Sequence, residues 1–522
     1  MELELRPITF NNGVSLTRPV LLLACAAGLV VLGGFAMAGQ PDFSLRGIDF
    51  VALGITGVTA LVLVNFMVSR DGSGIVVDLG KPLNLFALFY LAYYVVGNWV
   101  SIFANAEARR NGVYMSLLTA AGLVCFIVGL RLVPFKETSD SFHLNASQRK
   151  ALLIFAKITM GLLIWYYAWH ISIGAFYTHV DYTVATTVFA GMMETAVAPL
   201  QLPLVLLLGL ILRSSEGDES KKVKRLLFVY AALSVFVYAA SSQFRPLAAT
   251  LLFTIGSVNI SQRHPVRLKA YFAAAALSGL MLTAILAVRS IAVTQDWSRS
   301  DNQLADSLSA LSSDKPSDAE GVHRDTFNRM LNQQNLLSHI IDEISLGHPY
   351  VYGDLLFSSA YSLVPRAFWP SKPAVTPMQI MLRLEFDLPA RDDAVGPLLE
   401  AYANGGWIAV TAAFLGLGIL TAWITRRAAV KHSIASVLVI CWWWSILAIL
   451  EQELLLAILG GLRLIGLAAF LAWLLKGRFL GGARYYLKAI FAGAMVTLLF
   501  PLTLLSAKRT LFGLRSNSAR RG

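Results

Sequence analysis

The sequence predicts an all-α polytopic membrane protein with about 13 (12–14) transmembrane helices and one large, partly helical loop outside the cytoplasm. Three observations predict it. The 522 residues are 56% hydrophobic and 14% charged, against about 45–50% and about 25% in soluble chains. The mean hydropathy is +0.63. Apolar runs of about 20 residues, the length that crosses a bilayer, recur along most of the chain. This composition excludes an ordinary cytosolic enzyme, a disordered protein and a nucleic-acid-binding domain. The net charge of +12, from 43 Lys+Arg against 31 Asp+Glu, would suggest nucleic acid in a soluble chain. In one this apolar it reads as basic loops that orient helices in a membrane.

The runs fall near 19–38, 48–68, 83–104, 113–132, 151–172, 187–212, 226–241, 246–260, 270–292, 406–424, 433–450, 454–475 and 487–506. The seventh and eighth are short and form a tight hairpin turned at Ser241-Ser242-Gln243-Phe244-Arg245-Pro246. Ala36-Met37-Ala38 resembles a signal-peptidase site, but the apolar stretch before it is long and more spans follow, so an uncleaved first helix is expected. Pro199 and Pro203 kink the sixth run, and neighbouring helices must re-satisfy the freed carbonyls. Cys25, Cys125 and Cys441 each lie inside an apolar run, where a thiol acts as a small hydrophobe. No CxxC or Cys/His cluster occurs, so no metal site and no disulfide scaffold is expected.

Orientation follows from Lys and Arg in short loops. Arg131, Lys136, Arg149 and Lys150 follow the fourth run, and Arg213, Lys221, Lys222, Lys224 and Arg225 the sixth. Arg263, Arg267 and Lys269 follow the eighth, and Arg426, Arg427 and Lys431 the tenth. The loop around 171–178 has neither residue type. This pattern places the N-terminus in the cytoplasm. Thirteen spans would leave the tail outside, yet it carries Lys508, Arg509, Arg515, Arg520 and Arg521. A miscount of one span around Glu451–Arg463 removes the conflict.

Residues 294–396 hold no clear span and separate an N-terminal helix bundle (1–293) from C-terminal helices (397–522). Loops this long are functional or disordered, and this one combines both. Residues 297–322 are a Ser- and Asp-rich linker. Asp325 then caps an amphipathic helix in which Phe327, Met330, Leu337, Ile341 and Ile344 recur at helical spacing. Such a helix packs on the membrane surface or on the bundle. A second apolar piece, 350–364, is too short to span and is stopped by Pro365.

Next comes Pro365-Arg366-Ala367-Phe368-Trp369-Pro370-Ser371-Lys372-Pro373, preceded by Gly353-Asp354 and followed by Glu400-Ala401-Tyr402-Ala403-Asn404-Gly405-Gly406 at the start of the next span. Together these resemble the O-antigen polymerase family, the Wzy-type polymerases of oligosaccharide repeat units. The hydropathy layout is similar over most of the chain, and the motifs over 348–406 plus Arg245. The resemblance implies a bacterial inner-membrane glycosyltransferase with a GT-C-like helical fold, a large periplasmic loop and an active site facing the periplasm. It implies polymerisation of lipid-linked repeat units in surface polysaccharide biosynthesis, such as lipopolysaccharide O-antigen or exopolysaccharide. The growing glycan passes from undecaprenyl pyrophosphate to the next lipid-linked unit, without metal or cofactor. Implied partners are the undecaprenyl-pyrophosphate-linked oligosaccharide, membrane lipid and a chain-length regulator, with no nucleic acid.

The residues suit that chemistry. A leaving pyrophosphate needs fixed cations, and the planar Arg fork binds phosphate oxygens in pairs. Such cations stabilise the charge that grows as the bond breaks. Arg245, Arg289, Arg366 and Lys372 all fall on the outer side, where the loop rule does not put them. Arg289, near a helix end, could also simply snorkel to the interface. For a base that takes the proton of the acceptor hydroxyl, Glu400, Asp354 and His348 are the leading candidates, with Asp392 and Asp393 behind them. Glu400 stands where the chain re-enters the membrane, close to lipid-anchored substrates. Trp369 and Tyr402 are candidate sugar-binding aromatics, with Phe368; Tyr350 and Tyr361 read better as an interfacial belt. Trp442-Trp443-Trp444 reads as lipid or helix packing, and Glu194, Glu451 and Glu453 as interfacial carboxylates.

Two other classes share parts of this pattern. An O-antigen ligase shares the layout and the cations, but the Pro-Arg…Trp-Pro…Lys-Pro run favours the polymerase. A lipid-linked oligosaccharide flippase would show two related halves, and no internal repeat is present.

Overall fold

A computed structural model of the chain describes residues 47–71, 74–77, 82–104, 106–133, 144–172, 201–240, 250–251, 253–258, 266–267, 333–352, 382, 385–386, 395–430 and 434–447. Five helical stretches among them are long and apolar enough to cross a membrane: Gly47–Asn65, Phe86–Phe103, Gly112–Leu132, Ala146–Ala168 and Pro397–Arg427. Each coincides with a span expected from hydropathy. Two shorter apolar helices, Pro203–Arg213 and Ser436–Leu447, fall within two further expected runs. The seventh run, 226–241, lies in a helix over Gly217–Ala240, and residues 250–251 and 253–258 of the eighth are helical; the hairpin turn between them and the other four runs lie outside the described residues.

In chain order the elements are α1 (Gly47–Met67), strands β1 (Val68–Asp71) and β2 (Gly74–Val77), and α2 (Pro82–Tyr90). A π-helix (Leu91–Val96) leads into α3 (Gly97–Ala104), followed by α4 (Ala106–Arg110), α5 (Gly112–Leu132) and α6 (Ala146–Ser172). Then come α7 (Gln201–Arg213), α8 (Gly217–Ala240), strand β3 (Val266–Arg267), a helix within the long loop (residues 333–345), α9 (Pro397–Val430) and α10 (Ile434–Leu447). The loop helix carries Leu337 and Ile341 of the expected amphipathic stripe. Both are buried, and Ile344 packs beside them. The stripe therefore faces the bundle and not a membrane surface.

Lipid offers no hydrophobic drive between helices, so close packing of small residues does the work. Helices α5 and α9 run side by side in the same direction. Tyr114 meets Trp407 near one end, Gly122 meets Phe414 midway, and Gly129 meets Gly418 near the other. At the last crossing the backbones touch: a Cβ on Gly129 would collide with the Leu415 carbonyl, and one on Gly418 with that of Phe126. Helix α1 is tied to α3 where the Trp99 indole donates to the Thr56 hydroxyl. Trp443 donates to the Thr421 hydroxyl at 3.2 Å, linking α10 to α9. Trp442, Trp443 and Trp444 are all buried, so the triplet packs helices together and does not face lipid.

The structure sorts the loops into two ends. At one end β2 pairs antiparallel with β1 and with β3, Arg149 lies 3.3 Å from Glu219, and the Leu144 N–H donates to the Ser214 hydroxyl at 3.4 Å. At the other end Arg110 pairs with Asp342 at 2.8 Å, and the Val351 N–H donates to the Ala403 carbonyl at 3.0 Å. Counting spans from a cytoplasmic N-terminus groups the same loops in the same way.

Three local features differ from the sequence expectation. The all-α reading omits the small antiparallel sheet, in which Asp71 pairs with Gly74; its signal was the Gly72-Ser73 pair in the sequence between them, a short-range hairpin signature. The run 83–104 is interrupted by a π-helix, which hydropathy cannot register because α and π turns use the same apolar residues. The tenth span begins at Pro397, nine residues ahead of the apolar run, because proline is preorganised for the first helical position.

The α5–α9 crossing gives a direct expectation. Gly129→Leu or Gly418→Leu should destabilise the detergent-solubilised protein by about 1–3 kcal/mol, the usual penalty of overpacking. Gly161→Leu, which would meet nothing within 4 Å, should leave the thermal transition in place. Fluorescence-detected unfolding checks all three.

Candidate functional site where the loop docks on the bundle

Sequence placed the chemistry at the junction of the long loop and the re-entering helix, and several elements converge there. The first is the π-helix. The Gly97 N–H bonds to the Ala92 carbonyl, a step of five, and the change of step back to four releases a backbone carbonyl from the ladder. The Tyr93 carbonyl accepts a hydrogen bond from the Gln334 amide at 3.2 Å. A π-turn inside a helix commonly marks a functional position, and this one supplies an acceptor to the loop helix.

The loop helix is held at a second level by the turn before α5. The Asn111 amide donates to the Ser338 carbonyl at 3.1 Å, to the Ser338 hydroxyl at 2.9 Å and to Asp342 at 2.9 Å. The neighbouring Arg110–Asp342 pair is two-thirds exposed on the arginine side and is worth under about 1 kcal/mol. From Asp342 to Gln334 the helix rises about 12 Å. Tyr93, where Gln334 bonds, lies about 15 Å along its own span from Phe103. The loop helix therefore descends beside the spans from their end toward their middle.

At its other end the loop helix stops at Gly347, in the left-handed region at φ 104°. The Gly347 N–H bonds to the Ile344 carbonyl and the His348 N–H to that of Glu343, a Schellman arrangement. This places His348, whose ring centroid lies 4.6 Å from that of Phe386 and whose Nδ1 is 3.0 Å from the Pro349 carbonyl oxygen. Tyr350 and Tyr352 follow in edge contact at 5.8 Å. Burial, then the nearby Tyr114 phenol, push the Tyr350 pKa upward.

The third element is the first two turns of α9. The Leu398 N–H donates to the Tyr94 hydroxyl at 3.4 Å, so this segment starts against the π-helix. Glu400 is 6% exposed. A buried carboxylate is costly unless it is paired or protonated, which sets it apart from a solvated interfacial acid. The Asn404 amide donates to the Glu400 carbonyl at 2.7 Å. Tyr402 donates to the Tyr114 hydroxyl at 3.2 Å, and the Trp407 indole donates to the same oxygen. The rings of Tyr114, Tyr402, Trp407 and Tyr350 meet edge to face at 5.3–6.2 Å, a favoured aromatic geometry.

The helical path breaks at Gly405 and Gly406. Gly406 is required twice over. Its φ is +62°, and a Cβ there would lie 2.6 Å from the Tyr350 hydroxyl. The break is what lets the Glu400 segment leave the line of the span and meet the loop.

Of the residues singled out from sequence, Glu400, Tyr402 and His348 come to this one end of the bundle. Tyr402 is 2% exposed between Tyr114 and Tyr350, so in this structure it buttresses the site and presents no open face for a sugar. Asp354, Arg245, Arg289, Arg366, Lys372 and Trp369 lie outside the described residues, as do Asp392 and Asp393. Sequence reading missed Gln334, Tyr93, Tyr94, Tyr114 and Trp407. The only hint was the amide run Asn332-Gln333-Gln334-Asn335 inside an otherwise apolar periodicity. Among the described residues no three His, Cys, Asp or Glu side chains come together as a metal site would need.

Gly406→Ala should cost about 1–2 kcal/mol from backbone strain alone, plus the clash with Tyr350. Pairing it with Tyr350→Ala should recover the clash but not the strain. A double-mutant cycle on thermal unfolding would then be non-additive; additive losses would mean that the two residues do not meet.

A family model described as a domain of unknown function (DUF8712) matches residues 219–432. That stretch includes the loop helix and the Glu400–Gly406 segment but neither Tyr114 nor the π-helix. No curated protein and no solved structure matches the chain.

Proposed function

We propose that this chain is a membrane glycosyltransferase that polymerises lipid-linked oligosaccharide repeat units, acting at the loop-helix end of the bundle. The supporting observation is the buried carboxylate of Glu400 on a broken helix, at the end where the long loop docks through Tyr350 and Val351. A polar group placed at that depth is functional by default in a membrane protein. In this reading the acceptor sugar hydroxyl loses its proton to Glu400, and its oxygen attacks the anomeric carbon of the growing chain. The bond from that carbon to the pyrophosphate oxygen breaks, and its electron pair leaves on the undecaprenyl pyrophosphate. His348, beside the same junction, serves as the alternative proton acceptor. Arg245, Arg289, Arg366 and Lys372 neutralise the leaving group, and Tyr114 and Tyr402 hold the Glu400 segment in place. The reading carries with it a bacterial inner-membrane location, a GT-C-like arrangement and an active end facing the periplasm.

The test is a ladder. Purified protein given a lipid-pyrophosphate repeat unit alone should make longer lipid-linked chains. Absence of a ladder, with the lipid scrambled across vesicles instead, would replace this reading with transport. Glu400→Gln should lower polymer at least about 100-fold, the typical share of a proton-transfer group, with the protein still inserted.

Arg245→Ala and Arg366→Ala should each abolish polymer in a polymerase-null strain. Arg366→Lys should also fail if paired phosphate contacts matter. Full activity from any of these variants removes that residue from the site.

A further inference from the structure

The cations of the sheet end do not all lie in loops. A topology signal needs Lys and Arg only in the connecting segments, yet helices α6 and α8 carry them on their sides. Helix α6 starts at a reciprocal cap: the Gln148 N–H donates to the Asn145 side chain at 2.9 Å, and the Asn145 N–H to that of Gln148 at 3.1 Å. Lys150 and Lys157 follow inside the helix, and both are exposed. Seven residues separate them, which is about 10 Å along the axis and nearly two full turns, so they share one face. Ile154, Ile158 and Trp165 are exposed on the same face. Gly161, one turn beyond Lys157, leaves open space beside it, because a Cβ there would meet nothing within 4 Å.

Helix α8 repeats the arrangement. Lys224 and Arg225 are exposed and stand one turn before Phe228 and Val229, which are exposed as well, Phe228 by 74%. The two helices begin beside one another, with Arg149 of α6 3.3 Å from Glu219 of α8, and both pack on α7. Helical side chains lean toward the N-terminus of their own helix. Both N-termini are at the sheet end, so these cations lean toward the membrane surface there, above apolar side chains that face lipid tails. Lys157 lies well inside the apolar stretch Ala146–Ala168, where a charge is costly and marks a binding role by default. Its stem can follow the apolar face while the ammonium reaches headgroup level. Helix α6 contains no acidic residue. Those of α8, Asp218 and Glu219, precede its cations and are engaged by Lys221 at 3.2 Å and by Arg149.

We propose that the exposed faces of α6 and α8 bind anionic phospholipid at the sheet end, its phosphate held by Lys150 and Lys157 on one helix and by Lys224 and Arg225 on the other. The layering identifies the occupant. An anion joined directly to an apolar tail matches cations set directly above exposed apolar residues, and a soluble phosphate or an acidic protein supplies only the first half of that match. Lys and Arg near the surface each add to the attraction of an anionic leaflet. This surface is at the opposite end of the bundle from the proposed chemistry and is independent of it.

The test uses the full-length protein in micelles containing equal amounts of phosphatidylglycerol and phosphatidylcholine, with retained lipid counted by native mass spectrometry. The wild type should retain phosphatidylglycerol at least about five-fold over phosphatidylcholine, the share of one engaged cation. Lys150→Gln with Lys157→Gln, and separately Lys224→Gln with Arg225→Gln, should each lower that preference. All four changes together should bring it near unity. These side chains are exposed, so the thermal transition should stay in place. Arg131→Gln removes an exposed cation of α5 at the same end and should leave the preference intact. The proposal is overturned if the wild type retains both lipids equally or if the fourfold variant keeps the preference. It is also overturned if Arg131→Gln lowers the preference as much as either pair, because overall charge then governs retention. A change of oligomeric mass in the fourfold variant, with lipid retention unchanged, would assign these faces to a second copy of the chain instead.

Discussion

The backbone contact between α5 and α9 is the constraint from which the rest of the described structure follows. Where Gly129 and Gly418 meet, nothing larger fits, so the two helices are fixed in register along their length. That register brings Tyr114 to Trp407 and sets the level at which α9 begins. The Gly405–Gly406 break lies just beyond, and the Glu400 segment is aimed by it. In a membrane, helices associate through packing and satisfied polar groups and not through hydrophobic burial. A tight glycine crossing is therefore an organising contact, and the aromatic cluster is its consequence at one end.

The loop helix uses the same economy of polar groups. It presents Leu337 and Ile341 to the bundle, yet its position along the spans is set by amides: Asn111 toward Ser338 and Asp342, and Gln334 toward the Tyr93 carbonyl. Apolar contact alone would allow it to slide. Two polar attachments about 12 Å apart pin both depth and rotation. The π-helix supplies the deeper attachment, so an irregular turn in a span is what gives a loop outside the membrane a fixed seat within the bundle.

The site is accordingly a layered arrangement. Tyr114, Tyr350, Tyr402 and Trp407 form an aromatic frame at the end of the bundle. Glu400 is buried, on a segment that begins against the Tyr94 hydroxyl.

Much of the architecture was legible in the sequence. Runs of about 20 apolar residues mark spans because the bilayer sets a length, and the charges in loops mark sides because translocating Lys and Arg is costly. Both depend on composition over a window, and the sequence carries them openly. Glu400 was legible as a carboxylate at a membrane re-entry, whereas the break at Gly405 and Gly406 was not read from the sequence. The partners of these residues were not. Tyr114 and Tyr402 stand 288 positions apart, and Gln334 and Tyr93 stand 241 apart, and no local pattern links residues at such separations. The π-turn leaves no trace in hydropathy either. The sequence by itself determined that the chain is a membrane-embedded helix bundle with one long, partly helical loop. Only the tertiary structure decided that the loop helix descends into the bundle and that Glu400 is buried, because both follow from packing between distant segments.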